Sequence, residues 1–225
     1  MMTQDEKKRA AAQRAVALLP RDEYIGVGTG STVNYFIEAL AAVKDDIRGA
    51  VSTSRASTEL LQKIGIPVVT LAQSGRLPIY VDGADEINRS LHMIKGGGGA
   101  LLAEKIVAHA SERFVCIADD SKYVAKLGTF PLPVEVVPMA RSLVAQELIR
   151  MGGKPELRVN FLTESGHEIL DTSGLNLDLP VTMEEAINHI PGVMENGLFA
   201  RRPADVLVLG HDKGTEVITV SATAG

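Results

Sequence analysis

Four acids and a lysine fall within one short stretch of the chain. Asp82, Asp85 and Glu86 belong to the run Asp82-Gly83-Ala84-Asp85-Glu86, Lys95 heads Lys95-Gly96-Gly97-Gly98-Gly99, and Glu104 follows the glycines. Residue types of this kind suit proton transfer next to a carbonyl. A carboxylate within hydrogen-bond reach takes the proton, while a cation and backbone N–H groups steady the negative charge that develops on oxygen. Each part also has a plainer use. Asp-Gly is a common turn pair and aspartate a common helix cap, and a glutamate about five residues into a helix is most simply a surface acid. The glycines are harder to set aside. Each destabilises regular structure by roughly 0.5–1 kcal/mol, which makes physical sense where backbone must approach something closely.

These residues need elements to position them. The apolar stretch Leu77-Pro78-Ile79-Tyr80-Val81 predicts a buried strand with Asp82 and Asp85 at its carboxyl end, the edge where open parallel sheets bind ligands. Before it, the patterns predict a helix over 5–19, strands at 24–28, 50–53 and 68–71, and helices at 32–43 and 57–64. After it come a helix from about 100 to 110 and a strand at 114–118. This alternation predicts an α/β fold: a Rossmann-like parallel sheet flanked by helices. From Phe130-Pro131-Leu132-Pro133-Val134 the rhythm changes to strand 134–137, helix 139–151, strands 157–163 and 167–171, helix 182–189 and strand 193–199. That β-α-β-β-α-β order predicts an inserted smaller α+β domain of ferredoxin-like plan. Strands at 205–209 and 217–220 return to the first sheet, so the expected domains are 1–129 with 203–225, and 130–202.

Two hydroxyl-rich junctions lie on the expected strand-end edge. In Gly26-Val27-Gly28-Thr29-Gly30-Ser31-Thr32 a dinucleotide fingerprint would need glycine where Ser31 stands and an acid where Ser52-Thr53-Ser54 ends the next strand; neither glycine run closes with the Gly-Lys-Ser/Thr of a P-loop. What remains is a set of N–H groups and hydroxyls at a helix start, suited either to a phosphate or sugar or to simple capping. Ser52 to Thr58 is the second such junction, and Lys122 adds a cation past the strand ending at Ala118.

Composition narrows the class. With 23 basic and 28 acidic residues the net charge is −5, without a basic cluster for nucleic acid. No apolar run reaches the roughly 20 residues of a spanning helix, and Met1–Lys8 is polar where a signal peptide has its apolar core, so a soluble cytoplasmic protein with no membrane partner is expected. The single cysteine, Cys116, sits in an apolar strand, and the five histidines lack ligand spacing, so no metal site is expected.

Taken in order and spacing, Gly28-Thr29-Gly30-Ser31-Thr32, Asp82-Gly83-Ala84-Asp85-Glu86, Lys95-Gly96-Gly97-Gly98 with Glu104-Lys105 behind it, and Phe130-Pro131-Leu132-Pro133-Val134-Glu135-Val136 closely resemble type A ribose-5-phosphate isomerase. The resemblance runs on through Ile190-Pro191-Gly192-Val193 and Gly197-Leu198-Phe199. It implies interconversion of ribose 5-phosphate and ribulose 5-phosphate without metal or organic cofactor. It makes Glu104 the base, assigns ring opening and proton movement between oxygens to Asp82 and Asp85, and gives Lys95 the enediolate oxygen. It implies substrate contacts at Thr29, Gly30, Ser31, Thr32, Gly83, Ala84, Gly96, Gly97, Gly98 and Lys122, and a homodimer or homotetramer. Two positions depart from the pattern: Ala103 where relatives commonly carry arginine, and Arg55 where some carry aspartate. A sugar-phosphate sensor would not need Glu104 and would carry a DNA-binding segment, which is absent from this sequence; a deaminase would need a histidine-acid relay that the scattered histidines do not offer.

Overall fold

In the computed structural model, which describes residues 1–220, the chain forms two compact units. The first comprises Met1–Ala84, Ala103–Tyr123 and the chain from Ala204; the second comprises Asp85–Leu102 and Val124–Pro203. Compared with the expected limits of 130–202, residues 85–102, 124–129 and Pro203 join the second unit.

The first unit is built on a six-stranded sheet. Its strands are β1 (Glu23–Val27), β2 (Ile47–Ser52), β3 (Leu77–Asp82), β6 (Ser111–Asp119), β12 (Val206–His211) and β13 (Gly214–Thr219), in the order β13-β12-β6-β3-β1-β2. All neighbours run parallel except β13, which returns antiparallel to β12. Ile25, Val27, Ile79, Val81, Val115, Ile117, Val206 and Val208 point to one face and pack with apolar residues of the helices α1 (Gln4–Val16), α2 (Ser31–Leu40) and α3 (Arg55–Lys63). Ala11, Ala12 and Ala15 give α1 a flat buried stripe, and a capping box between Thr3 and Glu6 fixes its start. The alternate residues Tyr80 and Asp82 point to the opposite face, beside Phe114 and Cys116 of β6 in register. There α5 (Leu101–His109) comes close through Val107, whose Cγ1 would lie 2.9 Å from a β-carbon on Gly26. Sequence order reverses between β1 and β3, which makes that junction the switch point of the sheet, where ligands of doubly wound folds bind.

One predicted strand of this unit is missing. Val68 makes only a single parallel bridge to Ala50, because a capping box between Thr70 and Gln73 starts the short helix α4 (Leu71–Ser74).

The second unit carries β7 (Leu132–Val136), α6 (Arg141–Arg150), β8 (Lys154–Leu157), β9 (Glu168–Ser173), α7 (Pro180–Asn188) and β10 (Val193–Asn196). Their sheet has the order β10-β7-β9-β8 with every pair antiparallel, the expected split βαβ plan. Leu132, Val134, Val136 and Leu170 face Val144, Leu148 and Ile187 of the helices. β8 covers Lys154–Leu157 and so meets the expected strand 157–163 only at Leu157; beyond it the chain leaves the sheet, with Asn160 in a left-handed backbone conformation (φ 55°). The expected strand 193–199 is two strands. Gly197 breaks it, its N–H bonded to the Pro133 carbonyl at 2.8 Å, and β11 (Leu198–Phe199) joins a separate small sheet with β5 (Met93–Ile94) and β4 (Glu86–Ile87). That sheet carries residues 85–102 into the second unit.

Candidate active site

In the first unit, the strand ends converge as the switch point predicts. Asp82 is the last residue of β3 and fully buried. Its Oδ1 accepts the backbone N–H groups of Thr29 at 3.1 Å and Gly83 at 2.7 Å, and its Oδ2 accepts the Tyr80 hydroxyl. Burying a carboxylate is costly unless such bonds replace its water. Gly28 makes room for it: a β-carbon there would fall 1.9 Å from Asp82 Cγ. Tyr80 is itself wholly buried and stacks on Phe114, ring centroids 4.8 Å apart. Burial holds its hydroxyl well above the usual tyrosine range, and the charges of Asp82 and Glu104 push it the same way.

Glu104 is 3% exposed and lies in the first turn of α5, which starts at Leu101 rather than near Gly99. Carboxylates are rarely buried this far without a reason, so the reading of Glu104 as an ordinary surface acid is excluded. It is carried by α5, the helix that packs through Val107 on the sheet face of Tyr80 and Asp82, and its charge acts on the Tyr80 hydroxyl.

The hydroxyl junctions hold each other. The Ser54 hydroxyl donates to Thr29 Oγ1 at 2.9 Å and caps α3 at Ser57, while the Ser57 hydroxyl donates to the Gly28 carbonyl at 2.7 Å. Much of the 52–58 run therefore supports the Thr29 loop. Gly30, in a left-handed conformation (φ 117°), caps α2 without a side-chain bond, so the first N–H groups of α2 are not capped by a side chain. Lys8 donates to Ser31 Oγ at 3.1 Å and brings a cation to this helix start. Lys122 follows β6 at the same strand-end edge, in a short 3-10 turn that Asp119 caps.

In the second unit, Lys95 is 3% exposed. Its N–H donates to the Gly197 carbonyl at 2.9 Å, and its ammonium lies 5.5 Å from the centroid of the Phe199 ring. Asp85 accepts the Gly97 N–H at 2.8 Å, and a β-carbon on Gly97 would lie 2.7 Å from Asp85 Oδ1. Gly97 and Gly98 are exposed while Gly96 is buried. Among the predicted site residues, Asp82, Gly83, Ala84, Glu104, Lys122 and the Thr29–Thr32 loop thus belong to the first unit, and Asp85, Lys95 and Gly96–Gly98 to the second.

Sequence reasoning does not single out Tyr80 or Lys8. Tyr80 carries a signal: it stands two residues before Asp82 on a strand, so both point to one face. Lys8 carries none, since only the packing of α1 beside α2 brings it to Ser31. Among the described residues, no group of three or more His, Cys, Asp or Glu side chains is placed to hold a metal ion, and no helix is long and apolar enough to cross a membrane.

Acids, hydroxyls and an open helix start at the switch point of a doubly wound sheet are the features of an α/β enzyme whose strand-end edge is suited to ligand binding. Comparison with known proteins gives the family. The family model of ribose 5-phosphate isomerase A (phosphoriboisomerase A) matches residues 49–214. Ribose-5-phosphate isomerase A of Neisseria meningitidis is 62% identical over 218 residues, 97% of this chain and 98% of its own length. The crystal structure of ribose 5 phosphate isomerase A from Neisseria gonorrhoeae is similar with a TM-score of 0.97 at 60% identity, covering 98% of this chain and 99% of that one. A D-ribose-5-phosphate isomerase in complex with phospho-erythronic acid has a TM-score of 0.93 at 36% identity, covering 97% and 100%. The chain belongs to the ribose 5-phosphate isomerase A family and is an isomerase.

Proposed function

We propose that the chain interconverts D-ribose 5-phosphate and D-ribulose 5-phosphate in the pentose phosphate pathway, with Glu104 carrying the proton between C2 and C1 through an enediolate. The observation that carries this reading is the burial of Glu104 on the sheet face of Asp82, an environment with no use for an idle carboxylate. In the open-chain aldose, Glu104 removes the C2 proton; the electron pair moves onto O1 as the C1–C2 enediolate forms. Return of the proton to C1 and transfer of the O2 hydrogen to O1 complete the ketose. Asp82 and Asp85 serve ring opening and proton traffic between the sugar oxygens. Lys95 and the N–H groups of Gly96–Gly98 offset the charge on the enediolate oxygen. The phosphate dianion fits the α2 start, with Thr29, Gly30, Ser31, Thr32 and Lys122 as contacts and Gly83 and Ala84 lining the sugar.

A relative's structure holds phospho-erythronic acid, a phosphorylated sugar acid, in keeping with a substrate of this class. The chain acts in this reading as a cytoplasmic homodimer or dimer of dimers. Purified protein mixed with ribose 5-phosphate in EDTA should form ketose; folded protein without turnover sinks the assignment. The same assay in EDTA examines whether side chains and backbone suffice without a metal.

A further inference from the structure

Arg158 lies just past β8, far in sequence from the glycine loop, yet its guanidinium is bonded on two sides. Nε and Nη2 meet Asp171 Oδ2 and Oδ1 at 2.8 and 2.5 Å, a bidentate pair. Nη1 donates to the carbonyls of Gly96 at 3.3 Å and Gly97 at 3.1 Å. The Arg158 guanidinium carbon also stands 5.2 Å from the centroid of the Phe161 ring. A β-carbon on Gly99 would fall 2.2 Å from Phe161 Cζ, so this ring lies directly against the loop. The Arg158 backbone is held too, its N–H donating to the Ile169 carbonyl at 2.9 Å.

The peptide plane gives this arrangement a direction. In a trans peptide the carbonyl and the following N–H point opposite ways. With the Gly96 carbonyl turned to Arg158, the Gly97 N–H points away, and it is that N–H which Asp85 accepts at 2.8 Å. With the Gly97 carbonyl also turned to Arg158, the Gly98 N–H points away in the same manner. The Gly96 carbonyl also accepts the Gly99 N–H at 2.9 Å, so this turn and the Arg158 cation together align two successive peptide dipoles, the cation alone holding the second at the Gly97 carbonyl.

We propose that Arg158, locked by Asp171, is a positioning residue for the isomerisation: it fixes the Gly96–Gly97 and Gly97–Gly98 peptides so that their N–H groups are presented to Asp85 and to the developing oxyanion. The proposal rests on the reaction given above, and goes beyond it by assigning function to two residues outside the strand-end motifs. Arginine suits the task because its planar fork serves a carboxylate and two carbonyls at once, which a lysine cannot reproduce.

The test compares full-length wild type with Arg158→Ala, Arg158→Lys, Asp171→Asn and the control Arg141→Ala, which removes an exposed ion pair with Glu168. Arg158→Ala should lower kcat about 10- to 100-fold with KM changed less than about threefold, because misdirected donors cost the transition state most. Free guanidinium, well below denaturing concentration, should restore part of the rate, and Arg158→Lys and Asp171→Asn should fall between. Hydrogen exchange at Gly97 and Gly98 should quicken in Arg158→Ala and stay unchanged in Arg141→Ala. Wild-type kcat in a folded Arg158→Ala, or unchanged exchange at both glycines, overturns the proposal. Should Arg158→Ala not fold, Arg158→Lys and Asp171→Asn decide the question by their rates and exchange. Wild type inactive on ribose 5-phosphate would instead defeat the reaction, while the exchange data would still decide whether Arg158 orders the loop.

Discussion

Gly28 and Asp82 occupy what is nearly one space: a β-carbon on the glycine would lie 1.9 Å from the aspartate Cγ. The buried carboxylate can reach the Thr29 and Gly83 N–H groups only because its neighbour just past β1 has no side chain.

Gly28→Ala should therefore displace Asp82 and cost about 1–3 kcal/mol of stability, the range for overpacking a close-fitted site. Its kcat should fall with the loss of aligned acid, and denaturant melts alongside initial rates check both. A variant with unchanged midpoint and rate would mean that Asp82 moves aside without consequence.

Glu104→Gln keeps the shape of the side chain and removes the base. Turnover should drop by about 100- to 10,000-fold or more, the contribution of a positioned proton acceptor. Solvent exchange of the C2 proton should vanish while a phosphorylated inhibitor still binds. Substantial residual exchange would assign the proton to another group.

Lys95→Ala should depress kcat by about 100- to 1,000-fold and KM far less, since the charge it offsets arises mainly in the transition state. Steady-state kinetics separate the two parameters. A loss confined to KM would make Lys95 a binding group.

Alkaline pH offers a test at Tyr80. Its hydroxyl is held above the ordinary value, so in the unfolded chain it ionises near pH ~10 while the folded chain keeps the proton. The folded state then binds more protons, and stability falls as pH rises from the unfolded value through the folded one. Of the four tyrosines, one should ionise only with unfolding, seen in ultraviolet titration, and Tyr80→Phe should abolish that late step. A late step that survives the substitution would belong to another tyrosine.

Much of the frame was legible because it rests on local pattern. Runs such as Phe114–Ala118 are buried on both faces and read as strands without help, and Asp82 ends its strand as the pattern predicts. The departures have local chemistry behind them. Gly197 ends a strand that looks continuous because its N–H and carbonyl are taken by Pro133 and Lys95, and Thr70 turns an apolar run into a helix start. Arg158 and Asp171 could not be read at all, since Arg158 finds its partners in the glycine loop, a distant part of the chain, and Asp171 acts only through Arg158. Burial of Glu104 likewise depends on what surrounds α5, which no window around residue 104 contains.

The bond from Lys95 to Gly197 also sets an order of events at the ribosome. The backbone of Lys95 is pinned by a carbonyl that is synthesised long after the lysine itself, so a nascent chain holding every acid, the lysine and all its glycines is still missing the anchor. Such distant pairings are slow to form. A chain stopped before Gly197 should therefore be inert, with the Gly96–Gly98 amides open to rapid deuterium uptake, and catalytic competence should arrive late in translation.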